Sequence, residues 1–407
     1  MKKILSLLLC LVFICFTLVG CAEDVIGEYL ENYNTNKVSD DKIEKLNFYI
    51  ITGDNTSEDA KITVPQNINA YIKDKYHIEL NIKYYTESEY AAALYSALDK
   101  TVEAERPDIV LVAGKTMFDT LYEANRLVAL NQFYDSRDFK SIRSSVDKAL
   151  LAASLITPEG GDAAYYTVPN NHVIGEYEYV VIDKAMARDT LHFSNAKIES
   201  MTSDETLAEL ITALGTYYDT YESTSGVSKD DFIAKYVYKQ NGDFKDKLLL
   251  EYDVDSAASI NSSSTKKNYV NILSYPVADR EEAFLSAFAI VKHLDDVDSK
   301  TEEQAAILDL HYTKCMKIIY ALTTDAQLKN MLQYGYVGTN YAFDRDENDV
   351  VSSDTISLKK GDEVRYEMNP MYTGNMFISY YCNEIGWNYE VYTNILKQNA
   401  DAEVVTQ

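Results

Sequence analysis

The sequence predicts an α/β fold built around a parallel sheet. Short apolar runs alternate along the chain with stretches of helical periodicity, and residues typical of loops separate them. Residues 46–113 follow the order strand, helix, strand, helix, strand. Strands joined by helices lie parallel in one sheet and are connected by right-handed crossovers.

Each element of this first unit follows from its pattern. Residues 46–51 are a continuous apolar run, which indicates a buried strand, and 108–113 form a second such run after a proline. Residues 78–84 alternate between apolar and polar side chains, as a half-buried strand does. Apolar residues at helical spacing predict helices around 64–72 and 90–102.

The rest of the chain continues the alternation of helices and strands. An extended stretch is predicted at 165–169, and strands at 177–182 and 269–273. Helices are predicted at 118–130, 281–294 and 387–398, and two more begin at the Thr202 capping box and at Thr301. Residues 256–268 and 340–361 are polar and predict surface loops.

Residues 1–20 have the features of a signal peptide. Lys2 and Lys3 precede an apolar run that is shorter than the roughly 20 residues of a membrane span. The segment Leu18-Val19-Gly20-Cys21 resembles the lipobox of bacterial lipoproteins. This resemblance implies that Cys21 carries acyl chains such as palmitate, becomes the mature N-terminus, and anchors the protein to the outer face of the cell membrane. The alternative is an ordinary signal peptide followed by a chance cysteine.

Composition narrows the possible partners and the cysteine chemistry. The formal net charge of -26 disfavours binding to nucleic acid and to anionic lipid. We therefore expect membrane contact through Cys21 alone, with residues 21–44 as a disordered tether. Cys315 and Cys382 are the other cysteines outside the leader. They could form a disulfide in an exported protein, but we favour two buried free thiols.

Several motifs, in this order, resemble those of extracellular solute-binding proteins of ABC importers, the broad group that includes maltose-binding proteins. The matching segments are Arg106-Pro107-Asp108 with the strand 109–112, 127–130, 166–169 followed by 177–182, 322–325, 334–341 and 374–377. The chain is identified as a member of this group by their order together with the lipobox. It differs from sugar-binding relatives in having a single tryptophan.

The resemblance implies a two-lobed fold of the periplasmic-binding-protein kind, with a ligand cleft between α/β lobes. By likeness, lobe one comprises 45–168 and 278–338, and lobe two comprises 169–277 and 339–397. The implied partners are an ABC permease and a small solute, and the implied state is a monomer. In open α/β sheets, ligands bind beyond the carboxyl ends of the strands.

That rule selects polar residues in three loops as candidate ligand contacts. Asp54 and Asn55 follow the first strand, Lys115 follows the third, and 170–172 follow the extended stretch. Asp54 and Asn55 could instead cap a turn. Asn170, Asn171 and His172 lie where the resemblance places a crossing between lobes, so they could bind the ligand or only stiffen the crossing.

Aromatic side chains are the second set of candidates. The sequence has 34 tyrosines and one tryptophan, so most tyrosines must serve ordinary packing. Rings can stack on the apolar face of a sugar, and we select four as ligand contacts: Tyr166, Tyr341, Tyr372 and Trp387. The alternative for each is a place in the core.

No enzyme or metal motif appears in the sequence, and we expect no cofactor. His311 and Cys315 lie four residues apart, but they share an apolar helix stripe and are predicted to be a core pair. The predicted function is capture of a small solute, above all a carbohydrate such as an oligosaccharide, for import. The alternatives are a peptide or polyamine ligand on the same fold, or a surface glycoside hydrolase.

Overall fold

The computed structural model describes residues 42–100, 105–158, 160–262, 265–292 and 301–406. The predicted signal peptide, Cys21 and most of the predicted tether lie outside these residues. Within the described ranges, no helix is both long enough and apolar enough to cross a membrane.

The chain begins with the predicted alternation of strands and helices. Its elements are β1 (Glu44–Ile51), α1 (Glu58–Tyr76), β2 (Ile78–Tyr85), α2 (Glu87–Ala97) and β3 (Ile109–Val112). Both β2 and β3 pair with β1 in parallel, which confirms the prediction. Ser57 begins α1 by accepting a hydrogen bond from the backbone of Ala60, and His77 ends it in the left-handed conformation.

Short helices then lead to the edge of the same sheet. They are α3 (Lys115–Glu123), α4 (Asn131–Asp135), α5 (Ile142–Ser145) and α6 (Lys148–Ala153), followed by β4 (Val168–Pro169). The helix predicted at 118–130 is therefore displaced towards the N-terminus, since Leu127 already forms a β-bridge with Val291.

The middle of the chain forms a second, smaller unit. Its elements are β5 (Tyr177–Asp183), α7 (Asn195–Glu199), α8 (Asp204–Tyr217), α9 (Lys229–Tyr236), β6 (Val237–Gly242), α10 (Phe244–Glu251) and β7 (Asn268–Ser274). The strands form an antiparallel sheet in the order β6-β5-β7. The capping residue of α8 is Ser203, which forms a capping box with Thr206, one residue later than predicted.

The chain then returns to the large sheet. It runs through β8 (Val277–Ala278) and α11 (Arg280–Leu285) to β9 (Ala287–Ile290). The single helix predicted at 281–294 is wrong, because its second half is a strand. β9 is buried on both faces between β3 and β4, so its side chains show no alternation that could separate a strand from a buried helix.

The last part of the chain packs against both units. Its elements are α12 (Glu302–Thr324), α13 (Ala326–Tyr334), β10 (Tyr341–Arg345), β11 (Val351–Leu358), α14 (Tyr389–Asp401) and β12 (Glu403–Val404), with short 3-10 helices at Pro370–Thr373, Met376–Ile378 and Asn383–Ile385. Thr301 and Gln304 form the predicted capping box of α12. The loop predicted at 340–361 is wrong, since β10 and β11 form a hairpin there.

The fold is α/β, as predicted, and each of the two larger sheets among the described residues has its own core. The five-stranded sheet, in the order β2-β1-β3-β9-β4, lies inside the large core. The three-stranded sheet covers a separate core with α8 and α9. The assignment of 339–397 to lobe two stays a prediction; within that range, Tyr366 and Met368 are buried in the large core.

The connections between the two units meet at one small junction. Ile174 follows β4, Ala278 lies in β8 and Ala402 precedes β12, and all three pack together with Leu150 of α6. β8 and β12 pair in parallel at the same place. The two units are therefore joined by several chain segments that share one apolar contact.

Candidate ligand-binding site

A pocket lies at the carboxyl edge of the large sheet, where the sequence predicted a site. It has a volume of about 530 Å³ and opens beyond the ends of β1 and β2. The lining residues are Ile51, Thr52, Gly53, Asp54, Glu87, Ser88, Asn369 and Tyr372. The wall of the pocket therefore combines polar side chains with apolar surface and one aromatic ring.

The polar wall is positioned by hydrogen bonds between β1 and a distant segment. The Gly53 amide donates to the carbonyl of Glu367 at 2.8 Å, and the hydroxyls of Thr52 and Thr56 donate to the same carbonyl. A Cβ atom on Gly53 would lie 2.8 Å from the Cβ of Glu367, so only glycine allows this approach. These bonds hold residues 367–372 over the end of β1.

The ionisable side chains that line the pocket are acidic. Asp54 and Glu87 are both exposed to solvent at its wall. Burial, and then the nearby carboxylate of Glu87, raise the pKa of Tyr372. The pocket thus presents carboxylate acceptors, hydroxyl and amide groups, and an aromatic ring.

Two of the ten predicted contacts, Asp54 and Tyr372, line this pocket. Asn55 lies beside it and donates to the carboxylate of Glu367 at 3.2 Å. Lys115 begins α3 and pairs with Asp119 at 2.5 Å. Tyr166 is half-buried, and its ring packs edge-on against Tyr122 at 4.9 Å. As ligand contacts, these residues remain predictions.

The residues of the predicted crossing are buried and hydrogen-bonded to neighbouring segments. Asn170 donates to the carbonyl of Met371 and to the hydroxyl of Ser286. The amide of Asn171 bonds to Ser145, Asp147 and Asn375.

His172 lies between two acceptors, the carbonyl of Asn170 at 2.8 Å and the carboxylate of Glu282 at 3.3 Å. Like the two asparagines before it, it is buried. This arrangement is compatible with the stiffening role that the sequence left open for residues 170–172, and ligand contact by these residues stays a prediction.

Two further candidates are buried away from solvent. Tyr341 packs with Tyr334, Ile356 and Cys382 in a cluster of its own. Trp387 is 4% exposed and precedes Asn388, the N-cap of α14. Its ring packs at right angles to that of Tyr392 at 6.1 Å, which is the geometry of a hydrophobic staple at a helix start.

Six lining residues were not among the predicted contacts: Ile51, Thr52, Gly53, Glu87, Ser88 and Asn369. Glu87 and Ser88 follow β2, so the rule on strand ends would have found them had it been applied to that strand. Asn369 comes from a late segment that only the tertiary fold brings to β1, and no local signal marks it.

The cysteines and the predicted core pair are buried. Cys315 and Cys382 are free thiols, as we favoured. The Nδ1 atom of His311 lies 2.6 Å from a carboxylate oxygen of Glu44, and its Nε2 lies 3.8 Å from the sulfur of Cys315. Among the described residues, no group of three or more potential ligands is arranged to hold a metal.

Comparison with known proteins finds similar structures but no similar sequences. No protein-family profile matches the sequence, and no curated protein matches it. The N-glycan transport solute-binding protein NgtS from Streptococcus pneumoniae, in complex with Man1GlcNAc, has a TM-score of 0.48 and 16% identity, over 88% of this chain and 83% of that one.

A second match is an extracellular solute-binding protein from Bifidobacterium longum subsp. infantis. It has a TM-score of 0.40 and 9% identity, over 89% of this chain and 82% of that one. Both matches are solute-binding proteins, the class that the sequence motifs resemble.

Proposed function

We propose that this protein is the substrate-binding subunit of an ABC importer and that it captures a carbohydrate. The pocket at the carboxyl edge of the large sheet carries the proposal. Its volume suits a small ligand, its polar groups can bond to hydroxyls, and the ring of Tyr372 can stack on a sugar face. The protein performs no chemistry on its ligand and passes it to a membrane permease.

The arrangement of the two units supports a hinged capture. Separate cores allow each unit to move as a body, and the shared junction at Ile174, Ala278 and Ala402 limits that motion to a hinge. Ligand binding should therefore reduce the radius of gyration in solution scattering. An unchanged profile at saturating ligand contradicts closure but leaves binding itself standing.

The test of ligand class is a thermal-shift screen followed by calorimetry. The screen compares neutral oligosaccharides, including a mannose–N-acetylglucosamine disaccharide, with peptides and polyamines. A ligand that binds only the folded state raises the melting temperature. We expect an oligosaccharide to do so, and Tyr372→Ala should abolish most of the shift. If no saccharide binds to the parent protein, the carbohydrate proposal is wrong.

One observation keeps a second ligand class open. Asp54 and Glu87 are both acidic and both line the pocket, so a cationic polyamine would find charge complementarity there. Glycoside hydrolases also act through a pair of carboxylates. Hydrolysis of the bound oligosaccharide should therefore be measured as well. Intact saccharide after long incubation supports the binding role.

We also propose that the protein is held at the outer face of the cell membrane by lipid on Cys21. The proposal rests on the lipobox-like segment before that residue. Stable anchoring needs more than one acyl chain, which lipoprotein processing supplies. A Cys21→Ala variant should leave the membrane fraction of a bacterial host. Full retention of the variant with membranes contradicts the anchor.

A further inference from the structure

Two walls of the pocket come from parts of the chain that are far apart in sequence. Thr52, Gly53 and Asp54 follow β1, and we call them the β1 wall. Asn369 and Tyr372 come from a late segment, and we call them the late wall. A ligand that contacts both walls binds best when their separation is fixed before the ligand arrives.

Thr56 joins the two walls through a single hydroxyl group. This hydroxyl accepts a hydrogen bond from the amide of Glu367 at 3.0 Å and donates one to the carbonyl of the same residue at 3.1 Å. It also accepts from the hydroxyl of Thr52 at 2.8 Å. Thr56 is 5% exposed and is not among the residues that line the pocket. Its hydroxyl is therefore fully used inside the protein.

The late wall is fixed at a second point as well. The carbonyl of Met371 accepts a hydrogen bond from the hydroxyl of Ser286 at 2.6 Å. Between the two fixed points, Asn369 begins a 3-10 turn, in which the amide of Tyr372 bonds to the Asn369 carbonyl at 2.9 Å. The position of the Tyr372 ring therefore depends on Thr56 before the turn and on Ser286 beside it.

The opposite side of the pocket has its own local support. Glu87 and Ser88 begin α2 directly after β2. Thr86 and Glu89 form the capping box at the start of this helix. Since these bonds lie within one helix start, loss of the Thr56 hydroxyl should leave Glu87 in place.

We propose that Thr56 and Ser286 are positioning residues of the binding site, which place Tyr372 for stacking on a sugar without touching the ligand. The inference rests on the proposed function and adds two buried residues on which affinity depends. A valine has the shape of threonine but can neither donate nor accept a hydrogen bond. In Thr56→Val the amide of Glu367 loses its acceptor, and the late wall is released from the β1 wall.

The test measures saccharide affinity by calorimetry. The ligands are neutral oligosaccharides, including the mannose–N-acetylglucosamine disaccharide of the screen. Thr56→Val should weaken binding about tenfold, whereas Thr56→Ser keeps the hydroxyl and should bind within about twofold of the parent. The matched control is Thr212→Val on α8, an exposed threonine whose hydroxyl bonds within its own helix, and its affinity should equal that of the parent. Parent-like affinity of Thr56→Val overturns the inference.

A double-mutant cycle separates positioning from a general loss of stability. If Thr56 acts through Tyr372, then Tyr372→Ala should cost little further affinity in the Thr56→Val background. Glu87→Gln should cost as much affinity there as it does in the parent, because its wall has separate support. If Tyr372→Ala costs the same in both backgrounds, Thr56 serves the fold alone and the inference is wrong.

Ser286→Ala tests the same inference at the second fixed point. It should weaken binding by less than Thr56→Val does, since Asn170 still donates to the carbonyl of Met371. Its effect should also disappear in the Tyr372→Ala background, and additive losses overturn the inference even if Thr56→Val does not fold. Saccharide binding that neither variant changes refutes the inference and spares the proposed function; no binding by the parent refutes both.

Discussion

Two groups of polar side chains lie at the carboxyl edge of the large sheet, and they differ in what covers them. Asp54 and Glu87 reach solvent at the pocket wall. Asn170, Asn171 and His172 are buried and hydrogen-bonded to other segments. One rule about strand ends selects both groups, and only packing decides which of them remains available to a ligand.

The difference follows from the segments around 371–375. Asn170 donates a hydrogen bond to the carbonyl of Met371, and Asn171 donates one to the side-chain oxygen of Asn375. The side chains of Asn170 and Asn171 therefore connect distant segments of the chain. Over β1, the contact is made by the backbone carbonyl of Glu367, and the side chains of Asp54 and Glu87 stay exposed at the pocket wall. The buried group should therefore govern stability, and the exposed group should govern binding.

The largest expected effect is on the buried group. Asn171→Leu removes three hydrogen bonds and leaves the buried backbone amide of Asp147 without its acceptor, so we expect a loss of about 3 kcal/mol in unfolding free energy. Urea denaturation measures it. Asn348→Leu, at an exposed site, is the control. If the two variants are equally stable, the stiffening role is refuted.

Lys329 on α13 extends the comparison of buried and exposed polar groups, because its burial destabilises the folded protein. It is fully buried, its Nζ lies 2.5 Å from the hydroxyl of Ser379, and burial lowers its pKa well below the ordinary value. Between that lowered pKa and about 10, the unfolded chain binds a proton that the folded protein does not. Stability attributable to this group therefore falls as pH decreases through that range.

Replacement of Lys329 should remove this cost. We expect Lys329→Met to stabilise the protein at pH 7 by about 2 kcal/mol, and by less at pH 10. Denaturant titrations at the two pH values measure the difference. Lys360→Met, at an exposed position, should show no such dependence. A destabilised Lys329→Met variant at pH 7 would show that the ammonium is stabilised by its surroundings.

A smaller effect is expected at the exposed group, and it concerns binding alone. Glu87→Gln keeps the shape of the side chain and removes the charged acceptor, so affinity for the oligosaccharide from the screen should fall roughly tenfold. The melting temperature of the free protein should stay the same, because Glu87 is exposed. Unaltered affinity, or a loss of stability, would break the division between the two groups.

The smallest effect is expected at Lys115, a predicted contact that lies outside the lining of the pocket. It is paired with Asp119 on the surface of α3, and such pairs contribute little. Lys115→Ala should alter neither the melting temperature nor saccharide affinity. A clear loss of affinity would show that the ligand extends from the pocket to α3.

Sequence patterns were sufficient where local chemistry determines structure. The alternation in β2 and the capping box of Thr301 lead directly to the observed elements. They were insufficient for β9, whose residues are buried on both faces, and for the hairpin of β10 and β11, whose polar strands look like a loop. Alternation would have distinguished these strands from the helix and the loop that were predicted there, and neither region shows it.

The site was predictable to a similar extent. Asp54 could be found because it directly follows a strand, whereas Asn369 enters through a contact between residues more than three hundred positions apart in the chain. Trp387 was selected as a ring that could stack on a sugar, and its ring packs against Tyr392 at the start of α14. The sequence shows the type of a residue but not which way its side chain faces.

The junction between the two units also determines when they can be joined during folding. Gln398 and Asn399 bond to the backbone of residues 172–175, and β12 pairs with β8, so the junction requires segments from the middle and the far end of the chain. During synthesis the two units can form their own cores earlier, but they are joined at the junction only when residues 398–404 have been made. The two units should therefore fold separately before they dock at the junction. We expect this docking to be the slowest step of folding.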